Sequence, residues 1–242
     1  MKKTNSENTK TLKENTTKNT QNHNLRNILL IILLIVVTIL IIITIRKGIL
    51  LNSLSNKFQD AQNQNNYSIE MYLYQKEDTV KVKVLHKDNL VLANLKDKDK
   101  EITETKNNMN NTDIYINNNG NMYSKLNSEG SMINLTMPNI LEIGNIKDLL
   151  VNSLVTSINE TKCNGKDCYY IKNFRSTVLP SDKEPAGIYI EKSTGLPVRI
   201  LGGSISSSND STNTIIDFYY SFNNVSDSDF KIPNIEQYKT QE

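Results

Sequence analysis

The chain offers few side chains suited to covalent or metal chemistry, and its two cysteines are the most informative. Cys163 and Cys168 bracket Asn164-Gly165-Lys166-Asp167. Asn-Gly favours a hairpin turn. A four-residue loop sets the flanking positions opposite one another, with Cβ atoms within the roughly 3.5–4.5 Å that a disulfide needs. So short a ring adds about 2 kcal/mol through loop entropy. A redox dithiol or half of a metal site would use the same spacing. The metal alternative lacks ligands, since there is no second cysteine pair and the histidines are His23 and His86 alone. The expectation is a structural Cys163–Cys168 disulfide, with no metal and no cofactor. Disulfides persist outside the cytoplasm, which places this part of the chain there.

Other polar clusters carry less. The acidic runs Lys96–Glu101 (KDKDKE) and Ser226–Asp229 (SDSD) lack the ligand-Gly-ligand spacing of a calcium loop and read as solvated turns. Several Asn-x-Ser/Thr triplets exist, including those at Asn66, Asn134, Asn159 and Asn224, as expected by chance in so asparagine-rich a chain. No G-x-S-x-G, H-E-x-x-H, P-loop or dinucleotide glycine motif occurs. Nucleophilic catalysis has no placed histidine or free thiolate to serve it, so no catalytic residue is named and an enzyme is not expected. A net charge of +2 with dispersed basic residues argues against nucleic acid as a partner.

Ile28–Ile45 (ILLIILLIVVTILIIITI) carries no charge and is interrupted only by Thr38 and Thr44. As a helix it spans about 27 Å, close to the ~30 Å of a hydrocarbon core. A buried core helix would show a polar face, and this one has none. Arg46-Lys47 follows the run, no alanine precedes Ala61 and the first cysteine is Cys163, so neither signal-peptide cleavage nor a lipoprotein signal is expected. A membrane-spanning helix at 27–47 is therefore expected, with the lipid bilayer as partner through Ile28–Ile45. Lys10, Lys13, Lys18 and Arg26 on one flank balance Arg46, Lys47 and Lys57 on the other, leaving orientation to the cysteines. They set the N-terminus in the cytoplasm and the C-terminal domain outside the cell membrane. Residues 1–26 have too few apolar groups to offset ordering entropy and read as a disordered cytoplasmic tail.

Residues 48–65 keep helical spacing at Leu50, Leu51, Leu54, Phe58 and Ala61, which predicts a juxtamembrane helix. From Tyr67 the period becomes two. Ile69, Met71 and Leu73 alternate with polar residues, then Val80, Val82 and Val84 do the same, which predicts a hairpin. Further strands read at Leu90–Leu95, Glu101–Thr105, Asp113–Asn117, Met122–Leu126, Gly187–Glu191, Val198–Leu201 and Thr214–Asn223. Pro138–Ile158 has near-helical spacing. The expected fold is mainly β (α+β): a curved antiparallel sheet or incomplete β-barrel of nine to eleven strands over residues 66–242, with one or two packed helices.

Three phrases, Asn164–Ile171 (NGKDCYYI), Gly187–Ile200 (GIYIEKSTGLPVRI) and Phe218–Pro233 (FYYSFNNVSDSDFKIP), carry a family resemblance. They resemble the lipoprotein-carrier (LolA-like) superfamily of Gram-positive extracytoplasmic proteins. The second phrase is similar to that family's strand, acidic residue, Thr-Gly-Leu-Pro turn and return strand, and the third to its closing aromatic strand. The resemblance implies a sheet wrapped over helices around an apolar cavity, lined here by Leu141, Leu149 and Leu150 of the helical stretch and by Phe218 and Tyr220. It further implies an anchored binding module for a lipid, lipoprotein or other hydrophobic ligand. The alternative is an envelope sensor or protein-interaction domain with a protein partner and no small ligand.

Overall fold

One long helix, α1 (Asn5–Gln62), holds both the apolar run Ile28–Ile45 and the helically spaced residues that follow it. The computed structural model describes residues 5–75, 78–98, 100–106, 112–118, 120–127, 145–174, 186–202, 215–232 and 235–240. The chain divides into two compact units, Met1–Lys47 and Gly48–Glu242. In the first, the side chains of Ile28–Ile45 are largely exposed, and among the described residues this is the one helix long and apolar enough to cross a membrane. A core helix of a soluble protein would be buried. Thr38 and Thr44 donate their hydroxyls to the carbonyls of Leu34 and Leu40, both at 2.8 Å, so neither leaves a polar group for lipid to meet. The helix starts at Asn5, although its sequence predicts no structure over residues 1–26. Extension of an existing helix needs no new nucleus, so weak helix formers can follow a strong one.

In the second unit, the end of α1 (from Gly48) lies on a sheet of strands β1 (Asn66–Gln75), β2 (Asp78–Lys87), β3 (Leu90–Asp97), β4 (Lys100–Lys106), β5 (Thr112–Asn118) and β6 (Asn121–Asn127). A second helix, α2 (Ile146–Val155), leads to β7 (Ser157–Cys163), β8 (Lys166–Lys172), β9 (Gly187–Glu191), β10 (Pro197–Leu201), β11 (Ile215–Phe222) and a two-residue β12 (Lys239–Thr240). The sheet order is β12-β6-β5-β4-β3-β2-β1-β11-β10-β9-β8-β7. Two antiparallel meanders thus run outward from the centre and meet where β1 pairs with β11, Tyr67 facing Phe222 and Tyr74 facing Ile215. Only β12 is parallel to its neighbour, and the sheet stays open and does not close into a barrel. Of the expected helix Pro138–Ile158, residues 138–144 lie outside the described part. The rest ends at Val155, and Ile158 belongs to β7.

Alternation decides which side chains face the helix. Ile69, Val84, Ala93, Ile171, Ile188, Ile190, Ile200 and Phe218 point to one side of the sheet, where Leu51, Leu54, Phe58 and Ala61 of α1 pack against them. Phe58, Leu54 and Leu51 are each fully buried, which stabilises the unit by about 1.5–3 kcal/mol apiece. The opposite face carries a smaller cluster, Leu85, Leu92 and Val225 with Phe230 and Ile232, where the chain after β11 folds back. Asn66 pins that return: its amide donates to the Val225 carbonyl at 2.9 Å and its Oδ1 accepts from the Val225 amide at 3.0 Å.

The β9–β10 turn sits directly on α1. A Cβ on Gly195 would run into the Leu54 carbonyl oxygen and lie 2.8 Å from the Phe58 nitrogen, and its φ is +71°. Lys57 seals the contact by donating from Nζ to the Lys192 carbonyl at 2.6 Å. Gly165, at φ +78°, has nothing within 4 Å of its would-be Cβ and supplies a comparison. Gly195→Ala is expected to cost at least about 1 kcal/mol more than Gly165→Ala, because it adds a backbone clash to the shared left-handed strain. Denaturant titration of the two full-length variants measures the difference, and equal midpoints would show that the turn does not press on the helix.

Candidate functional site

The residues expected to line an apolar cavity fall in different environments. Phe218 is buried in the main core, and Leu149 and Tyr220 pack against the same core. Burial, with Glu191's charge behind it, pushes the Tyr220 phenol well above its ordinary range, and its hydroxyl has no partner among the described residues. Leu150 faces outward at 55% exposure. Leu141 lies outside the described residues. At one end of α1 an open cleft of about 260 Å³ is lined by Lys57, Asp60, Ala61, Gln64, Ser193, Thr194 and Phe222. Glu104, which sequence reasoning passed over as a strand residue, is buried on the helix-facing side of β4, opposite Ala93 and Ile114.

The cysteines differ from expectation in register. The turn is the two-residue Asn164-Gly165, with φ of 51° and 78°, and it pairs Cys163 with Lys166 and Cys168 with Thr161. Asn-Gly is well suited to two left-handed positions, so the hairpin tightens by one pair relative to a four-residue loop. Cys163 and Cys168 are therefore diagonal neighbours on one face, a relation in which Cα atoms stand about 7–8 Å apart, beyond the usual reach of a disulfide. Both are free and buried, and they form a cluster with Val198 and Tyr189. Burial raises both thiols above their ordinary pKa. Among the described residues no group of His, Cys, Asp or Glu is arranged to hold a metal ion.

The face of the sheet turned away from α1 is unlike an ordinary solvated surface. One row across five strands reads Tyr72, Asp217, Arg199, Tyr189 and Tyr170. At its centre Arg199 grips Asp217 bidentately, from Nε to Oδ1 and from Nη2 to Oδ2, the second at 2.7 Å. Arg199 also donates to Asn164 Oδ1 at 3.3 Å, which ties the row to the cysteine hairpin. Tyr219 meets the Tyr72 ring edge-on at 5.7 Å, Tyr74 stacks beside Tyr72 at 6.5 Å, and Tyr170 stacks on Tyr189 at 4.5 Å. Tyr219 and Tyr74 remain 45% and 37% exposed. Two ion pairs lie on this face: Lys81 bonds Glu70 at 3.0 Å, and Lys166 bonds Glu191 at 2.8 Å. The tyrosines are visible in the sequence, but their convergence depends on the β1–β11 register, which a single strand's alternation does not reveal.

No protein-family model matches the chain, and no curated protein matches it. Among solved structures it is similar to an uncharacterised conserved protein of Thermus thermophilus, with a TM-score of 0.44 at 8% identity over 78% of this chain and 98% of that one. It is also similar to a chain of the Pseudomonas aeruginosa MucA/MucB complex (TM-score 0.41, 13% identity, 75% of this chain and 60% of that chain). A DUF1329 family protein of Desulfovibrio piger gives a TM-score of 0.31 at 13% identity over 74% of this chain and 95% of that one.

Glu191 organises the edge of this face and provides a pH handle. Burial alone would raise its pKa. Lys166, Ser193 at 2.9 Å and Thr194 at 3.0 Å outweigh that by donating to its carboxylate, and hold it below the ordinary 4.5. A carboxyl depressed in the folded state contributes stability in full above its unfolded pKa and loses it as pH falls through the folded value. Denaturant midpoints followed from about pH 6 to about pH 3 are therefore expected to drop less steeply in Glu191→Gln than in the parent. Identical acid slopes would remove Glu191 from the account.

Proposed function

We propose that the chain is a membrane-anchored binding domain held outside the cytoplasm, and that its ligand is a protein of the envelope engaged by the tyrosine-bearing outer face. The observation that carries this is the row built around Arg199–Asp217. Tyrosine and arginine are enriched at protein interfaces, where a flat aromatic body buries area at low entropic cost and the hydroxyl satisfies itself against the partner. Ion pairs at Glu70, Glu191 and Asp217 interrupt the basic residues of this face, which suits a protein more than a polyanion. The rigid sheet beneath keeps the rings in place before a partner arrives.

The alternative is a lipid, lipoprotein or other apolar ligand held between helix and sheet, as the resemblance to the lipoprotein-carrier superfamily implies. It gains less support. Phe218, Leu149 and Tyr220 pack into or against the core that α1 shares with the sheet, and among the described residues the open cleft of about 260 Å³ falls below the ~300 Å³ at which ligand pockets usually begin. With Cys163 and Cys168 free thiols, the proposed orientation rests on the resemblance to extracytoplasmic lipoprotein-carrier domains. Long domains translocate largely regardless of flanking charge, and the unit after Lys47 is long.

Photo-crosslinking in native membranes tests the protein-partner reading. A benzoyl-phenylalanine at Tyr219 is expected to give one discrete protein adduct, lost when Tyr72→Ala is added, while the same probe at Lys162 gives none. If Tyr219 yields no adduct, and native mass spectrometry of the full chain shows bound lipid that Leu149→Arg removes, the apolar-ligand alternative replaces it.

A further inference from the structure

The second helix of the domain is inside out. α2 buries Asn152 and Ser153, with Thr156 just beyond its end, while Ile146, Leu150 and Leu154 stand 76%, 55% and 67% exposed. Their spacing of four places them in one stripe along the helix. A helix on a water-facing surface shows the reverse pattern, apolar side inward and polar side out. The inward polar groups bond back along the helix: Asn152 donates to the Asp148 carbonyl at 3.1 Å, Ser153 to Leu149 at 2.6 Å and Thr156 to Asn152 at 2.6 Å. Asn145 caps the start by accepting from the amides of Lys147 and Asp148. The helix is therefore well formed, and its outward chemistry calls for an apolar medium.

Chain connectivity identifies that medium. α2 packs at Gly48, where a Cβ would lie 3.1 Å from Ser153 Oγ, and Leu149 joins the same core as Leu50. Gly48 follows the last apolar residue of the candidate span, Ile45, by three positions, so the covalent chain alone holds it within about 11 Å of that residue. Ile49, beside it, is 67% exposed. Where Ile28–Ile45 crosses a bilayer, Gly48 lies at the bilayer surface, and whatever packs on Gly48 lies there as well. Arg46, Lys47 and Lys147 supply cations at that level, the charge that anionic headgroups attract.

We infer that α2 is an interfacial helix: Ile146, Leu150 and Leu154, together with Ile49, insert into the outer edge of the bilayer that α1 spans. The partner is the lipid surface itself. This rests on the membrane-anchor reading of Ile28–Ile45.

The chain contains no tryptophan, so one introduced indole reports its own depth. The full chain is reconstituted in vesicles of phosphatidylcholine and phosphatidylglycerol containing lipid brominated either near the headgroup or near the acyl-chain middle. Leu150→Trp, and independently Leu154→Trp, are expected to show a blue-shifted emission that loses most of its intensity with the shallow bromines and less with the deep ones. Ile35→Trp is expected to be quenched mainly by the deep bromines, and Tyr219→Trp, on the outer sheet face, by neither. Unquenched emission from both Leu150→Trp and Leu154→Trp, alongside a quenched Ile35→Trp, would overturn the interfacial helix while leaving the anchor intact. An unquenched Ile35→Trp would remove the anchor, and with it this inference.

Discussion

Everything in the domain depends on one contact, the seating of the last turns of α1 on the inner face of the sheet. Leu51, Leu54 and Phe58 are fully buried there, and they touch strands from both meanders. The β9–β10 turn approaches the helix backbone so closely that only glycine fits at 195. Without this helix the two meanders would share little beyond the β1–β11 ladder, and a one-sided apolar sheet would face water. The hydrophobic contribution is large because the helix replaces solvent over the whole central part of the sheet.

That arrangement assigns opposite duties to the two faces. The inner face is occupied by the chain's own helix, and among the described residues the outer face carries the row around Arg199 and Asp217. There the Arg199–Asp217 pair holds β10 against β11 and spaces the tyrosines on either side. Asp217 is buried and bidentately held, so removing Arg199 alone would strand a carboxylate among aromatic rings. The pair also reaches Asn164 and so couples the tyrosine row to the hairpin that carries Cys163 and Cys168. The helix behind this face belongs to the same element, α1, as the candidate membrane span.

Local pattern carried much of the architecture. The switch from helical spacing to alternation after Ala61 marked the end of α1 and the start of β1, and the valines of β2 placed the first hairpin. Ile216, Phe218, Tyr220 and Phe222 declared the inner face of β11. Hidden from local pattern were the quantities set by pairing. The Cys163–Cys168 geometry turned on whether Asn-Gly closes two residues or four. The meeting of Tyr72 with Asp217 and Arg199 needed the β1–β11–β10 register, which joins residues far apart in the chain. The apolar residues of α2 were legible, but periodicity does not say which side of a helix faces inward, and here it is the polar side that does.

The central claim is that Gly48–Gln62, the end of α1, is the spine of the sheet domain. Two truncated chains, one beginning at Gly48 and the other at Gln64, test it by near-ultraviolet circular dichroism and chemical denaturation. The chain from Gly48 is predicted to show fixed aromatic signals and one cooperative transition, and the chain from Gln64 to show neither. A chain from Gln64 that unfolds cooperatively with the same midpoint would contradict the account.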